Sequence, residues 1–66
     1  TMSFSRDIFS INREGQPTFI GTAVYENESL EEVIHHSTFI LNTVHGPSHS
    51  MSILNSDGTV VKVIRS

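Results

Sequence analysis

The sequence has no cysteine and no tryptophan, and only two prolines interrupt its 66 residues. A chain this short buries only about 60% of the surface that its unfolded form exposes. Chains below roughly 70–80 residues therefore tend to rely on a disulfide, a bound metal or a partner subunit for stability. The absence of cysteine excludes the disulfide, so a metal ion and a partner subunit remain as the candidate sources of extra stability.

Positive charge is also scarce. The basic residues are Arg6, Arg13, Lys62 and Arg65, and the net charge is −3 with the histidines neutral. Four cations are too few to neutralise a run of phosphates, so we expect no nucleic-acid partner. The same shortage argues against docking on an anionic membrane surface, and no apolar run approaches the roughly 18 residues of a membrane-spanning helix. Because no signal peptide is recognisable either, we expect a cytoplasmic protein.

The length leaves room for one hydrophobic core, so we expect a single domain over residues 1–66. Met2 resembles a natural start, and we expect Thr1 to be an artificial addition before it. Two hairpins are predicted from alternating apolar residues and from turn clusters around Gly15 and Gly58. The four predicted strands span residues 4–12, 18–25, 50–54 and 59–64.

Between the hairpins the period of the apolar residues changes to that of a helix. Ser29 and Glu32 form a capping-box pattern, and Gly46-Pro47 is a stop signal, so we predict a helix over 29–44. Its predicted apolar stripe consists of Leu30, Val33, Ile34, Ile40, Leu41 and Val44. The order of elements predicts a ββαββ fold of the α+β class, an antiparallel four-stranded sheet with one helix packed on one face.

The strands carry apolar residues on both faces, although one helix can cover only one face. We therefore expect the second face to be an interface between copies of the chain. Its candidate residues are Ile8, Ile20, Val24, Val60 and Ile64. At roughly 25 cal/mol per Å², covering about 400 Å² per subunit contributes on the order of 10 kcal/mol before the cost of association. The alternative is that the strand ends twist away and the termini fold over this face.

The histidines are the residues that suit metal binding best, and His45 and His49 are the candidate ligands. Gly46-Pro47 breaks any helix between them, so the three-residue spacing does not by itself bring their imidazoles together. We interpret the histidines as solvated side chains and predict neither a metal nor a cofactor, with a His45–His49 site as the alternative. If a small ligand binds, the loop 46–49 is the expected place, because binding residues collect on loops.

No catalytic constellation is recognisable. Serines stand next to histidines at Ser48-His49 and His36-Ser37, but adjacency in sequence does not supply an aligned base or an oxyanion site. We therefore predict a non-enzyme, a small binding or regulatory module that acts as a homodimer. The alternatives are a metal-binding protein that uses His45 and His49, and a subunit or inhibitor that adds a strand to another protein.

Overall fold

The computed structural model describes residues 3–66, and the expectation about Thr1 and Met2 lies outside them. The elements are β1 (Ser3–Ile11), β2 (Pro17–Glu26), α1 (Leu30–Ile40), β3 (His49–Leu54) and β4 (Val60–Arg65), with a π-helical turn at Leu41–His45 that continues α1. All neighbouring strands are antiparallel and belong to one four-stranded sheet. The predicted α+β fold with ββαββ order is confirmed.

The strands lie in the order β2-β1-β3-β4, so β1 and β3 are central and β2 and β4 are the edges. β1 pairs with β2 on one side and with β3 on the other. The chain leaves the sheet after β2, crosses one face of it through the helix and returns at β3. The two hairpins, β1–β2 and β3–β4, therefore lie side by side and are joined by the pairing of β1 with β3.

Both hairpin turns are built by an asparagine. Asn12 Oδ1 accepts from the amides of Glu14 and Gln16, and Asn55 Oδ1 accepts from the amides of Asp57 and Thr59. A glycine with φ of +84° or +89° follows three residues after each asparagine, in a backbone region that favours glycine. The two turns therefore share one geometry, and both have an acidic residue between the asparagine and the glycine, Glu14 in one and Asp57 in the other.

The helix begins as its sequence predicts. Ser29 Oγ accepts from the Glu32 amide at 3.2 Å, and the Glu32 carboxylate accepts from the Ser29 amide at 3.1 Å. Val33, Ser37 and Leu41 are completely buried against the sheet at intervals of four residues. The core consists of two groups, Ile8, Leu41 and Met51 in one and Tyr25, Val33 and Ile53 in the other.

The end of the helix departs from the prediction at Val44, which is exposed rather than part of the apolar stripe. The cause is the π-helical turn, in which the Gly46 amide donates to the Leu41 carbonyl five residues earlier at 2.7 Å. This wider turn holds more residues than an α-turn, so positions after Leu41 rotate away from the sheet.

Two β-bulges break the alternation that the sequence suggests. The β1–β2 register shifts at Ile20, and the β3–β4 register shifts at Val61. Phe19 therefore leaves the face shared by Tyr25 and packs edge-on against Phe9, with ring centroids 5.9 Å apart. By the same effect Val60 pairs with Leu54 on the uncovered face.

The predicted interface residues consequently do not share one face. Ile8 is buried beneath the helix and Ile64 packs against the same core, so both are corrected from interface to core residues. Ile20, Val24 and Val60 are exposed. Alternation within one strand shows which residues share a face, but it does not show which face the helix covers.

The uncovered face is less apolar than predicted. A polar band crosses its centre at Asp7 and Ser52, which the register pairs, while the neighbouring Ser5 and Ser50 lie opposite Leu54 and Phe9. Asp7 accepts a hydrogen bond from Thr22 Oγ1 at 2.7 Å on this face. The second face therefore carries apolar side chains on all four strands, but Asp7 and Ser52 interrupt them at the centre.

Candidate functional site

Exposed apolar side chains concentrate on the two edge strands. On β2, Val24 is 65% exposed and Phe19 is 57% exposed. The other exposed apolar side chains of these strands are Ile20, Val60, Val61 and Val63. Within residues 3–66 the outer edges of β2 and β4 pair with no further strand, so each edge presents free backbone donors and acceptors beside apolar side chains.

The two edges differ in charge and length. β2 has ten residues, and Glu26 at its end is its only charged one. β4 has six residues, which include Lys62 and Arg65. Charged side chains, lysine above all, are a common device that keeps an edge strand from pairing with another chain. By this measure β4 is protected and β2 is not.

A second feature lies in the loop that follows the helix. The rings of His45 and His49 face each other with centroids 5.4 Å apart and planes inclined by 40°. The intervening loop makes this possible because Gly46 has φ of +75° and Ser48 has φ of +64°. The two residues that the sequence singled out as metal-ligand candidates are thus brought together, although no helix connects them.

The end of the chain holds this loop in place. Ser66 Oγ donates to the carbonyls of Gly46 and His49 and accepts from the His49 amide. Beside the loop, an open cleft of about 620 Å³ lies against the end of the sheet. Its lining includes Ile11, Pro17, Pro47, His49, Ser50 and Arg65. The loop 46–49 expected from the sequence therefore borders a cleft.

A third feature was missed by the sequence analysis. Arg6 Nη1 donates to Tyr25 Oη, and Tyr25 Oη lies 2.9 Å from His36 Nδ1. A guanidinium is a donor only, so its bond to the phenol oxygen leaves the hydroxyl proton for the imidazole. The alternation of Phe4, Arg6 and Ile8 was the available signal, because it places the cation on the covered face of β1.

The serine–histidine neighbours do not form a catalytic arrangement. Ser37 Oγ is buried in the core without a hydrogen-bond partner, while His36 turns to Tyr25. His49 Nδ1 contacts the Pro47 carbonyl rather than the Ser48 hydroxyl. Glu32 at the helix start acts structurally, since it accepts hydrogen bonds from the backbone and the side chain of Ser29, which lower its pKa.

Among residues 3–66 no three His, Cys, Asp or Glu side chains are grouped closely enough to hold a metal ion. The His45–His49 pair therefore offers two protein ligands. In the same part of the chain no helix combines the length and apolar character needed to cross a membrane.

A scan against protein-family models gave no match, and searches of curated proteins and of solved structures gave none either.

Proposed function

We propose that this chain is a small non-enzymatic binding module that acts as a homodimer, and that the two copies meet through the outer edge of β2. The observation that carries the proposal is the outer edge of β2, which is nearly uncharged and lined by exposed apolar side chains. The non-enzymatic character rests on the sequence alone, since no aligned catalytic groups are recognisable in it.

The polar centre of the uncovered face favours edge contact over face-to-face packing. Stacking two sheets would bury Asp7 together with the serines of β1 and β3. Removing a carboxylate from water without a cationic partner is costly, and the side chain that donates a hydrogen bond to Asp7 is the neutral Thr22 hydroxyl. Pairing at the β2 edge leaves this polar band in solvent.

Beyond the bulge at Ile20, β2 runs regularly from Gly21 to Glu26. Two copies of this segment can pair antiparallel about a two-fold axis, which is the commonest symmetry of soluble dimers. The Glu26 side chains then lie at opposite ends of the new pair, and Val24 comes close to the partner strand. This pairing joins the two four-stranded sheets into one continuous sheet of eight strands.

The size of the chain also favours an assembly. A standard interface buries about 800 Å² on each partner. The chain exposes 4369 Å² in all, so such an interface would cover roughly a fifth of its surface. This covering would supplement a small core, because only six apolar side chains among residues 3–66 are buried.

The test is the molar mass in solution, measured by light scattering on the wild type and on two lysine variants. We expect a dimer for the wild type and a monomer for Val24→Lys, because two lysines near the two-fold axis would repel each other. Val63→Lys is the matched control, since Val63 is also exposed but lies on the β4 edge. We expect this variant to remain dimeric.

A monomeric wild type at the highest concentrations reached would contradict the proposal and favour strand addition to a different protein. A monomeric Val63→Lys together with a dimeric Val24→Lys would place the contact on β4 instead and would equally overturn it. Circular dichroism of both variants shows whether a lost dimer is accompanied by lost fold.

A further inference from the structure

We infer that His45 and His49 form a binding site for a divalent transition-metal ion of the zinc and copper type. Their ring centroids lie 5.4 Å apart. Two imidazoles bound to one zinc ion, with Zn–N bonds of about 2.0–2.1 Å and tetrahedral angles, bring their ring centroids to roughly 5 Å from each other. The fold thus holds the two rings at nearly the separation that chelation of one ion requires.

The backbone between the rings is shaped for this approach. A π-helical turn ends at His45, and such turns occur frequently at functional sites. Ser48 adopts φ of +64°, a region that costs a side-chain-bearing residue free energy. Ser66 donates hydrogen bonds to the carbonyls of Gly46 and His49, so the loop between the two rings is held at both ends.

One of the two imidazoles also has a nitrogen that is free for coordination. His49 Nδ1 lies 2.9 Å from the Pro47 carbonyl oxygen, which accepts only, so this nitrogen carries the proton. The lone pair is then on Nε2, where a metal ion can bind. A bond from the second ring nitrogen to a backbone carbonyl is the usual outer-shell contact of metal-ligating histidines.

The ligand set determines the class of ion. Two imidazole nitrogens suit zinc, copper and nickel, whereas magnesium and calcium require oxygen ligands. Because no third His, Cys, Asp or Glu among residues 3–66 joins the pair, the remaining coordination positions belong to water or to an added ligand. The site is therefore open, with coordination positions that the protein does not fill. Both ligands come from one chain, and they are separate from the β2 edge that is proposed as the dimer contact.

The test is calorimetric titration of the tag-free chain with Zn²⁺ and, separately, Cu²⁺, because a histidine tag would bind both ions. We expect one ion per chain. His45→Ala and His49→Ala should each weaken binding at least about tenfold, since loss of even an outer-shell partner costs about that much. His35→Ala is the matched control, because His35 is an exposed histidine of α1 outside the pair, and its binding should equal that of the wild type.

Three results would overturn the inference. Binding that survives in the His45→Ala/His49→Ala double variant would place the ion elsewhere, and an equal loss in His35→Ala would mean nonspecific histidine binding. A measured stoichiometry of one ion per two chains would mean that four imidazoles from two chains bind the ion, which contradicts an open site within one chain. Nuclear magnetic resonance adds a readout independent of affinity, because the ring signals of His45 and His49 should shift together while those of His35 stay in place.

Discussion

At the scale of single residues, Arg6 is the least expected feature of the structure. It lies on the helix-covered face of a central strand, where its register partners are Ala23 and Ile53. Its guanidinium carbon sits 5.6 Å from the centre of the Tyr25 ring, and its Nε is buried without a hydrogen-bond partner. The Tyr25 hydroxyl is thus the side-chain acceptor that meets this cation.

Replacing that acceptor should destabilise the fold. We expect Tyr25→Phe to lower the free energy of unfolding by about 1–3 kcal/mol, the usual cost of leaving a buried polar group without its partner. Urea denaturation of wild type and variant measures the difference.

The matched control is His36→Ala. It removes only the far end of the hydrogen-bond chain, where the imidazole is exposed, and we expect a loss below about 1 kcal/mol. If Tyr25→Phe is as stable as the wild type, the hydrogen bond from Arg6 to Tyr25 makes no net contribution to the free energy of unfolding. The Arg6 guanidinium would then donate to water in the variant.

The sequence predicts single residues well where the deciding interaction is local. Ser29 and Glu32 are three positions apart, so their reciprocal bonds follow from the sequence and are confirmed. Strict alternation along β2 would put Phe19 on the same face as Tyr25, and the predicted helical stripe includes Val44. Both expectations are wrong, because a bulge displaces Phe19 and a π-helical turn displaces Val44. Neither irregularity has a local sequence signal comparable to a capping box.

At the scale of elements, the capping box gives a dependence of stability on pH. Bonds from the Ser29 backbone and side chain hold the pKa of Glu32 below its ordinary value of 4.5. A carboxylate with a lowered pKa in the folded state stabilises the fold at neutral pH, and this stabilisation is lost as the pH falls below about 4.5 and passes through the lowered value. The helix start should therefore weaken in acid.

We expect Glu32→Gln to lose part of this acid dependence. Its free energy of unfolding should be lower than that of the wild type at neutral pH and should approach it below about pH 4. Glu31→Gln is the control, because Glu31 lies in the same helical turn but takes no part in the capping box. Denaturation curves recorded across this pH range test the difference, and a Glu32→Gln curve parallel to the wild type would contradict it.

The predicted elements themselves agree with the structure within about two residues at most boundaries. Strand order could not be predicted, because it depends on the pairing of β1 with β3, whose partner residues lie 39 to 49 positions apart and are not joined by a hairpin turn. The turns at Asn12 and Asn55 could be predicted as turns. Both turns have an asparagine three residues before a glycine in the sequence, and the structure adds the hydrogen bonds that the two asparagine side chains accept.

At the scale of the whole molecule, the apolar residues of the strands predict more apolar sheet surface than one helix can cover, and both edge strands carry exposed apolar side chains. The sequence does not show how this surface is arranged: the register puts Val24, Val60 and Val63 on the uncovered face of the edge strands, with Asp7 and Ser52 between them. The His45–His49 pair shows the same limit. Residues 46–48 bring the rings together through two positive φ angles that no sequence pattern required.

If folding is coupled to pairing at the β2 edge, thermal stability must depend on protein concentration. For a dimer of two 66-residue chains that unfolds to separate chains, we expect the Tm to rise by about 5 °C for each tenfold increase in concentration. Val24→Lys should abolish this slope and lower the Tm at high concentration, whereas Val63→Lys should keep the slope. Calorimetric scans of the wild type and the two variants over the same series of concentrations measure the dependence of Tm on concentration. A wild-type Tm that stays constant across the series would mean that each chain is stabilised by its own core alone, and the β2 edge would then have no part in holding the fold together.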